Sequence, residues 1–327
     1  MSRRLAILIA LAAAAPIAAA AADLSVFAGG TASAGSASSS YGYGLEYREA
    51  LGANLAASFG YLNEGHLIGH HRDGLALQVL GKTSRWQEHF ELSLGLGPYA
   101  FFDTQQAPQL PGYRDLHGIA AALTGALTYY SGNRWFARLS VTQIEAFRDV
   151  STHMLQLGVG YTPQTLFDSE EAREHPERFE NSRPKSELVV FMGESILNSL
   201  ASHKSANFGV EYHGPLAQHV ELSGAWLSEA EGKQGRHAAL LGEAWLVNRF
   251  LSHEFTVGVG LGPHVALQSY RLDDGRPGER LMGVVSLMAH IQITRSLAAR
   301  VELHRNVTAN SQDCDVATTG LAWSFGN

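Results

Sequence analysis

From Glu254 to Gly262 the chain reads Glu-Phe-Thr-Val-Gly-Val-Gly-Leu-Gly, with a large apolar residue at every odd position and a polar residue or glycine at every even one. His89–Gly97 has the same form, and Leu297–His304 sets aliphatics against Arg300, Glu302 and His304. A period of two sends neighbouring side chains to opposite faces, which is the signature of a strand with two different environments. Helical spacing is scarce outside the first residues and part of one charged stretch, so the alternation restricts the chain to an all-β architecture.

The pattern also repeats. Leu94-Gly95-Leu96-Gly97-Pro98 returns as Val259-Gly260-Leu261-Gly262-Pro263, an offset of 165 residues (262 − 97). The same offset carries Glu46-Tyr47 onto Glu211-Tyr212, Tyr61-Leu62 onto Trp226-Leu227 and Leu116-His117-Gly118 onto Leu281-Met282-Gly283. Near the end of each half it shortens to 162 (300 − 138), so that Ala137-Arg138 meets Ala299-Arg300 and Gly158 meets Gly320. A period this long is domain-sized, far above the roughly 20–50 residues of solenoids and propeller blades.

Residues 1–22 read as a secretory signal peptide: Arg3 and Arg4, a short apolar run from Leu5 to Ala15, and Ala20-Ala21-Ala22 before Asp23. The rest holds no apolar run long enough for a transmembrane helix. Without Arg3 and Arg4, 22 basic residues (24 − 2) face 31 acidic ones, which argues against nucleic acid as a partner. Cys314 is the one cysteine, so no disulfide framework exists and no cysteine adjoins the cleavage site to take a lipid.

Each half parses into eight strands. In the second they fall near 187–194, 205–214, 217–228, 236–248, 253–264, 281–292, 296–305 and 314–325. Short turns such as Gly214-Pro215 alternate with longer connections near 195–204, 229–235, 265–280 and 306–313; in the first half the longer ones lie near 30–39, 63–73, 102–115 and 146–151. Short turns at one end, long loops at the other and an export signal match an antiparallel transmembrane β-barrel. A soluble β-sandwich would also alternate, but the face opposite the aliphatics is rich in Gly, Ala and Ser, which suits the crowded interior of a narrow barrel. Trp135, Trp226, Trp245 and Trp323 suit interfacial girdles.

Sixteen strands close as one wide barrel or two narrow ones. Residues 163–186 form a charged, proline-containing linker on the turn side, with a helical turn or two around 169–175, which is natural between two barrels and odd within one. Glu46 and Arg138 fall on the interior faces of strands two and seven of the first half, as do Glu211 and Arg300 of the second. In an eight-stranded barrel only two strands separate them, so the long side chains meet across the lumen and neutralise charges that are costly to bury alone. The expectation is therefore two tandem eight-stranded modules, 23–162 and 187–327, with a sixteen-stranded barrel as the alternative.

Three groups are candidates for chemistry. Glu64, His66, His70 and His71 are dense enough to hold zinc, copper or nickel, or else lie in a solvated outer loop. His304, Thr308 and Asp315 supply the imidazole, hydroxyl and carboxylate of a hydrolytic set. Gly95-Leu96-Gly97-Pro98 and its repeat are not phosphate loops, because no helix follows; a kink or bulge near the outer rim is the better account.

Phe208-Gly209-Val210-Glu211-Tyr212 and the Gly-Leu-Gly-Pro strands resemble the small outer-membrane β-barrel proteins of Gram-negative bacteria. The resemblance spans nearly the whole chain and implies an outer-membrane location among lipid and lipopolysaccharide, without a cofactor. The alternating end, Thr319–Phe325, resembles the closing strand of such barrels, although Gly326 and Asn327 follow it. His304-Arg305-Asn306 lies where the outer-membrane lipid A deacylases carry a His-x-Ser-Asn motif; asparagine stands here in the serine position. The expected role is non-enzymatic: envelope structure, binding, or limited solute passage. A porin-like channel and a lipid A-modifying hydrolase are the alternatives. The oligomeric state is left open.

Overall fold

The computed structural model describes residues 22–107, 112–147, 149–162, 185–198, 204–230, 236–250, 255–269, 271, 277–294, 296–309, 311 and 313–325. The expected signal peptide up to residue 21, and the linker with its helical turn across 163–184, lie outside the described residues. Sixteen antiparallel strands form two closed barrels. The first contains β1 (Ala22–Ser33), β2 (Ser39–Ala50), β3 (Leu55–Leu67), β4 (His70–Lys82), β5 (Phe90–Gln106), β6 (Tyr113–Tyr130), β7 (Trp135–Glu145) and β8 (Thr152–Tyr161). The second contains β9 (Ser186–Leu197), β10 (Lys204–Ala217), β11 (Val220–Ala230), β12 (Arg236–Phe250), β13 (Phe255–Ala266), β14 (Leu281–Gln292), β15 (Leu297–Val307) and β16 (Cys314–Phe325). β1 pairs with β8, and β9 with β16, so each half closes on itself and the sixteen-stranded alternative falls.

The faces are inverted relative to a soluble protein. Leu94, Leu96, Leu157, Val190, Met192 and Trp323 point outward, with Leu157 63% and Trp323 60% exposed, while Glu64, Arg72, Arg138, Glu211, Glu302 and Arg300 are buried inside. A continuous apolar outer wall around a charged interior is stable only where lipid replaces water, so both are transmembrane barrels. At the turn end the Trp135 ring lies 5.2 Å from the Tyr161 ring, tilted at 59°, as suits a girdle. Trp245 departs from that expectation: it is 1% exposed, points into the second lumen and donates its indole N–H to Ser223 Oγ at 2.9 Å. The cause is its partner strand, where a Cβ on Gly260 would strike the indole; only glycine leaves room for the ring.

Strand ends also differ from expectation. β3 and β4 run past the anticipated loop at 63–73 and are joined by Ile68 and Gly69 alone, with Gly69 at φ +76°. β5 and β6 likewise absorb most of 102–115. Polar residues keep the ladder going beyond the membrane, where side chains reach water from either face. The repeat phase is corrected too. Gly97 pairs with Ala122 and Gly262 with Val284, so the offset has already fallen to 162 (284 − 122) by the sixth strand of each barrel. The match of Leu116–Gly118 to Leu281–Gly283 is therefore not structural: His117 is exposed on the outer wall and Met282 is buried.

The Gly-Leu-Gly-Pro stretches interrupt a ladder rather than bulge it. β4–β5 pairing breaks between Ala76↔Tyr99 and Val79↔Leu96, and β12–β13 pairing between Leu241↔His264 and Ala244↔Leu261, with the register unchanged on either side. Proline supplies no N–H there, and the neighbouring strand presses against Gly97 and Gly262. A Cβ on Gly97 would lie inside the Leu77 carbonyl, and one on Gly262 inside that of Gly242. Gly262→Val is expected to destabilise the second barrel by about 3 kcal/mol through forced strand separation, read as a lower urea midpoint in detergent; an unshifted midpoint refutes the close approach.

The barrels touch side by side. Arg305 on the outer wall of β15 grips Asp73 of β4 with Nη1–Oδ1 3.0 Å and Nη2–Oδ2 2.7 Å. It also bonds Asp315 on β16 and lies 5.0 Å from the Phe102 ring. His117 meets Asp313 at 2.5 Å, and the Asp115 N–H donates to Ser311 Oγ at 3.0 Å. Lower down, Asn248 of β12 donates to the Tyr47 hydroxyl of β2 at 2.7 Å. Tilted strands make a vertical line up such a wall cross about three strands, so β2 and β4–β6 lie on one side of the first barrel, and β12 and β15–β16 on one side of the second. The charges of this seam lack counterparts: Asp73 corresponds to Ala238, Arg305 to Gln143 and Asp315 to His153.

Candidate functional site

Inside each barrel, residues at equivalent positions form three stacked layers, with different chemistry in the two copies. At the turn end of the first barrel, Arg138 binds Glu46 at 2.5 Å and Asp23 at 3.2 Å and donates Nε–H to Thr128 at 2.9 Å. Arg48 adds a contact to Glu46 at 3.3 Å. In the second, Arg300 binds Glu187 at 2.5 Å, Glu302 at 3.5 Å and Glu211 at 3.9 Å. His213 replaces Arg48; its ring lies 2.7 Å from Arg300 and 2.6 Å from Glu221.

In the middle layer of the first barrel, Gln78 donates to Thr124 at 3.1 Å and Thr124 meets Thr142 at 3.1 Å. The same positions in the second are Glu243, Ser286 and His304. Ser286 donates to Glu243 and lies 2.7 Å from His304 Nδ1, while His304 Nε2 faces Glu302 at 3.3 Å. Serine, histidine and glutamate have the composition of a hydrolytic set. Ser286 is 0% exposed, and its hydroxyl sits between the Glu243 carboxylate and His304 Nδ1.

In the outer layer of the first barrel, Arg72 clamps Glu64 through two 2.7 Å contacts, and Tyr99 donates to Glu64 at 3.0 Å. Its counterpart is Glu229 with His237 at 3.2 Å and His264 at 3.4 Å. The first lumen is thus held by fixed guanidinium charges. The second carries five buried imidazoles, His213, His237, His264, His290 and His304.

The structure brings Glu46 to Arg138, and Glu211 to Arg300, across the lumen. It separates the candidate metal set. A bulge at Gly65, with φ +74° and a register shift between Asn63 and His66, leaves Glu64 inside while His66 turns outward. There His66 stacks on His71 with ring centres 4.0 Å apart. His70 points instead to Asp103, at 2.8 Å. The candidate hydrolytic set is also dispersed: His304 is in the lumen, Thr308 donates to Asp313 at 3.0 Å, and Asp315 is on the outer wall with Arg305. Sequence reading missed the layers, although the repeat offset links Glu64 to Glu229, Arg72 to His237 and Tyr99 to His264. It also missed Asp103 and Asp149 beside His70, one on a strand end and the other in a loop, with no spacing to betray them.

No protein-family model matches the chain, and no curated protein sequence does. Among solved structures, the N-terminal β-barrel domain of Pseudomonas aeruginosa OprF is 15% identical, covering 42% of this chain and 96% of that domain at a TM-score of 0.34. Ail, the attachment invasion locus protein of Yersinia pestis, is 15% identical, covering 44% and 99% at 0.32. A Pseudomonas aeruginosa FadL homologue is 8% identical, covering 94% and 90% at 0.25. By its own strand pairing, each half of this chain has the architecture of a small outer-membrane barrel, present here twice in tandem.

Proposed function

We propose that the chain is an integral outer-membrane protein, exported with removal of its first residues, that works as a sealed double barrel and offers its outer end and loops for binding. Lipid and lipopolysaccharide surround it. The observation that carries this reading is the three-layer filling of both lumens. In the first barrel, the cavity between Glu46, Arg48, Gln78, Thr124 and Arg138 measures about 30 Å³, room for roughly two waters. In planar bilayers the purified protein is expected to give no stable conductance steps; large, long-lived steps would overturn the sealed reading and restore a channel. Incubation with lipopolysaccharide is expected to release no fatty acid, since Ser286 and His304 are enclosed. Release by wild-type protein that is lost in His304→Ala would establish a hydrolase instead.

A further inference from the structure

At the outer mouth of the first barrel two strand ends and one loop bring His70, Asp103 and Asp149 together, with one donor atom from each lying within 4.8 Å of the others. His70 opens β4, Asp103 stands near the end of β5, and Asp149 lies between β7 and β8. For a metal to sit about 2.0–2.2 Å from each donor, the most distant pair must draw together by roughly an ångström. The local charge calls for one. His70 Nδ1 lies 2.8 Å from Asp103 Oδ2. The Gln105 amide nitrogen sits between the two carboxylates, 2.9 Å from Asp103 Oδ2 and 3.0 and 3.2 Å from the Asp149 oxygens, a neutral group where positive charge is wanted. Arg72, opposite Asp103 in the ladder, is already committed to Glu64, and Arg114 donates to Gln105 Oε1 at 2.9 Å.

A second observation points the same way. Asp103 is 1% exposed, and its other oxygen, Oδ1, has no hydrogen-bond partner among the described residues. An ionised carboxylate with an idle buried oxygen is costly unless a cation takes it. The loop that carries Asp149 is also held in place: Arg72 Nη1 donates to the Val150 carbonyl at 2.6 Å, and the Val150 N–H donates back to Asp149 Oδ1 at 2.8 Å.

We propose that His70, Asp103 and Asp149 bind a divalent transition metal at the outer mouth of the first barrel. One imidazole with two carboxylates suits zinc or manganese rather than a soft monovalent ion. His70 and Asp149 are only partly buried, so the site is reachable from outside. The second barrel has no equivalent, with Gly235 and Gln268 at the positions of His70 and Asp103.

The test is calorimetric titration of the full chain, folded in detergent, with ZnCl2 and separately with MnCl2. One site per chain is expected, weakened at least tenfold in His70→Ala, in Asp103→Asn and in Asp149→Asn and unchanged in His71→Ala. Heat-modifiable gel mobility shows that each variant is folded, and the partly exposed His70 and Asp149 keep the test open if Asp103→Asn does not fold. No binding by wild-type protein overturns the proposal. So does loss in His71→Ala but not in His70→Ala, which would move the site to the His66–His71 stack on the outer wall.

Discussion

Arg300→Ala is expected to destabilise the second barrel by about 3–5 kcal/mol, because it leaves Glu187, Glu211 and Glu302 buried around a missing cation. Urea unfolding in lipid vesicles measures this. The equivalent Arg138→Ala is expected to cost less, since Arg48 remains 3.3 Å from Glu46, whereas the second barrel has His213 in that place. Removing the charges together separates a stranded-charge penalty from lost packing. Arg300→Met combined with Glu187→Gln, Glu211→Gln and Glu302→Gln should recover most of the loss, because no buried charge of the network is then left without its partner. Equal urea midpoints for wild type and Arg300→Ala would show that the network contributes nothing to stability.

Arg305→Ala is the second large effect, and it acts between barrels rather than within one. Arg305 is held by Asp73 across the seam and by Asp315 beside it, all on a wall that elsewhere carries aliphatics. Asp73 lies in the strand extension beyond the membrane and is buried against the other barrel, where a carboxylate is costly unless an opposite charge meets it. Arg305→Ala leaves two carboxylates facing the gap, and a loss of about 3 kcal/mol in barrel–barrel association is expected. Spin labels placed one on each outer rim should give a narrow distance distribution in wild type and a broad one in Arg305→Ala. The exchange Asp73→Arg with Arg305→Asp should narrow it again. A distribution that stays narrow in the single variant would show that the seam does not depend on this pair.

Much of the architecture was legible because a barrel strand advertises itself twice, through period-two alternation and through its repeat. The strand positions of the second half, the internal placement of Glu46, Arg138, Glu211 and Arg300, and the choice of two barrels came from the pattern along the chain; the expected Gly214-Pro215 turn did not hold, since β10 runs through it to Ala217 and turns at residues 218–219. Loop lengths were less legible. Polar residues at 63–73 and 102–115 read as loops, yet they continue strands past the membrane, where alternation is no longer enforced by lipid. Trp245 was misplaced because an outward and an inward tryptophan look alike until Gly260, on the neighbouring strand, is seen to leave room for the ring.

The chemistry was less legible than the fold, since its partners come from strands far apart in sequence. His66, His70 and His71 are neighbours along the chain but face two ways: Gly65 bulges the strand and turns His66 out, where His71 joins it on the outer wall, and His70 turns to Asp103. By itself the sequence determined that this chain is all strand, with two matching halves and an apolar outer wall, because those properties are written in the parity of each residue along its own strand. Only the tertiary structure decided which charges meet across each lumen, that Arg305 faces Asp73 across the seam, and that His70 belongs with Asp103 and Asp149. Those are distances between strands, set by closure, register and bulges that no single strand encodes.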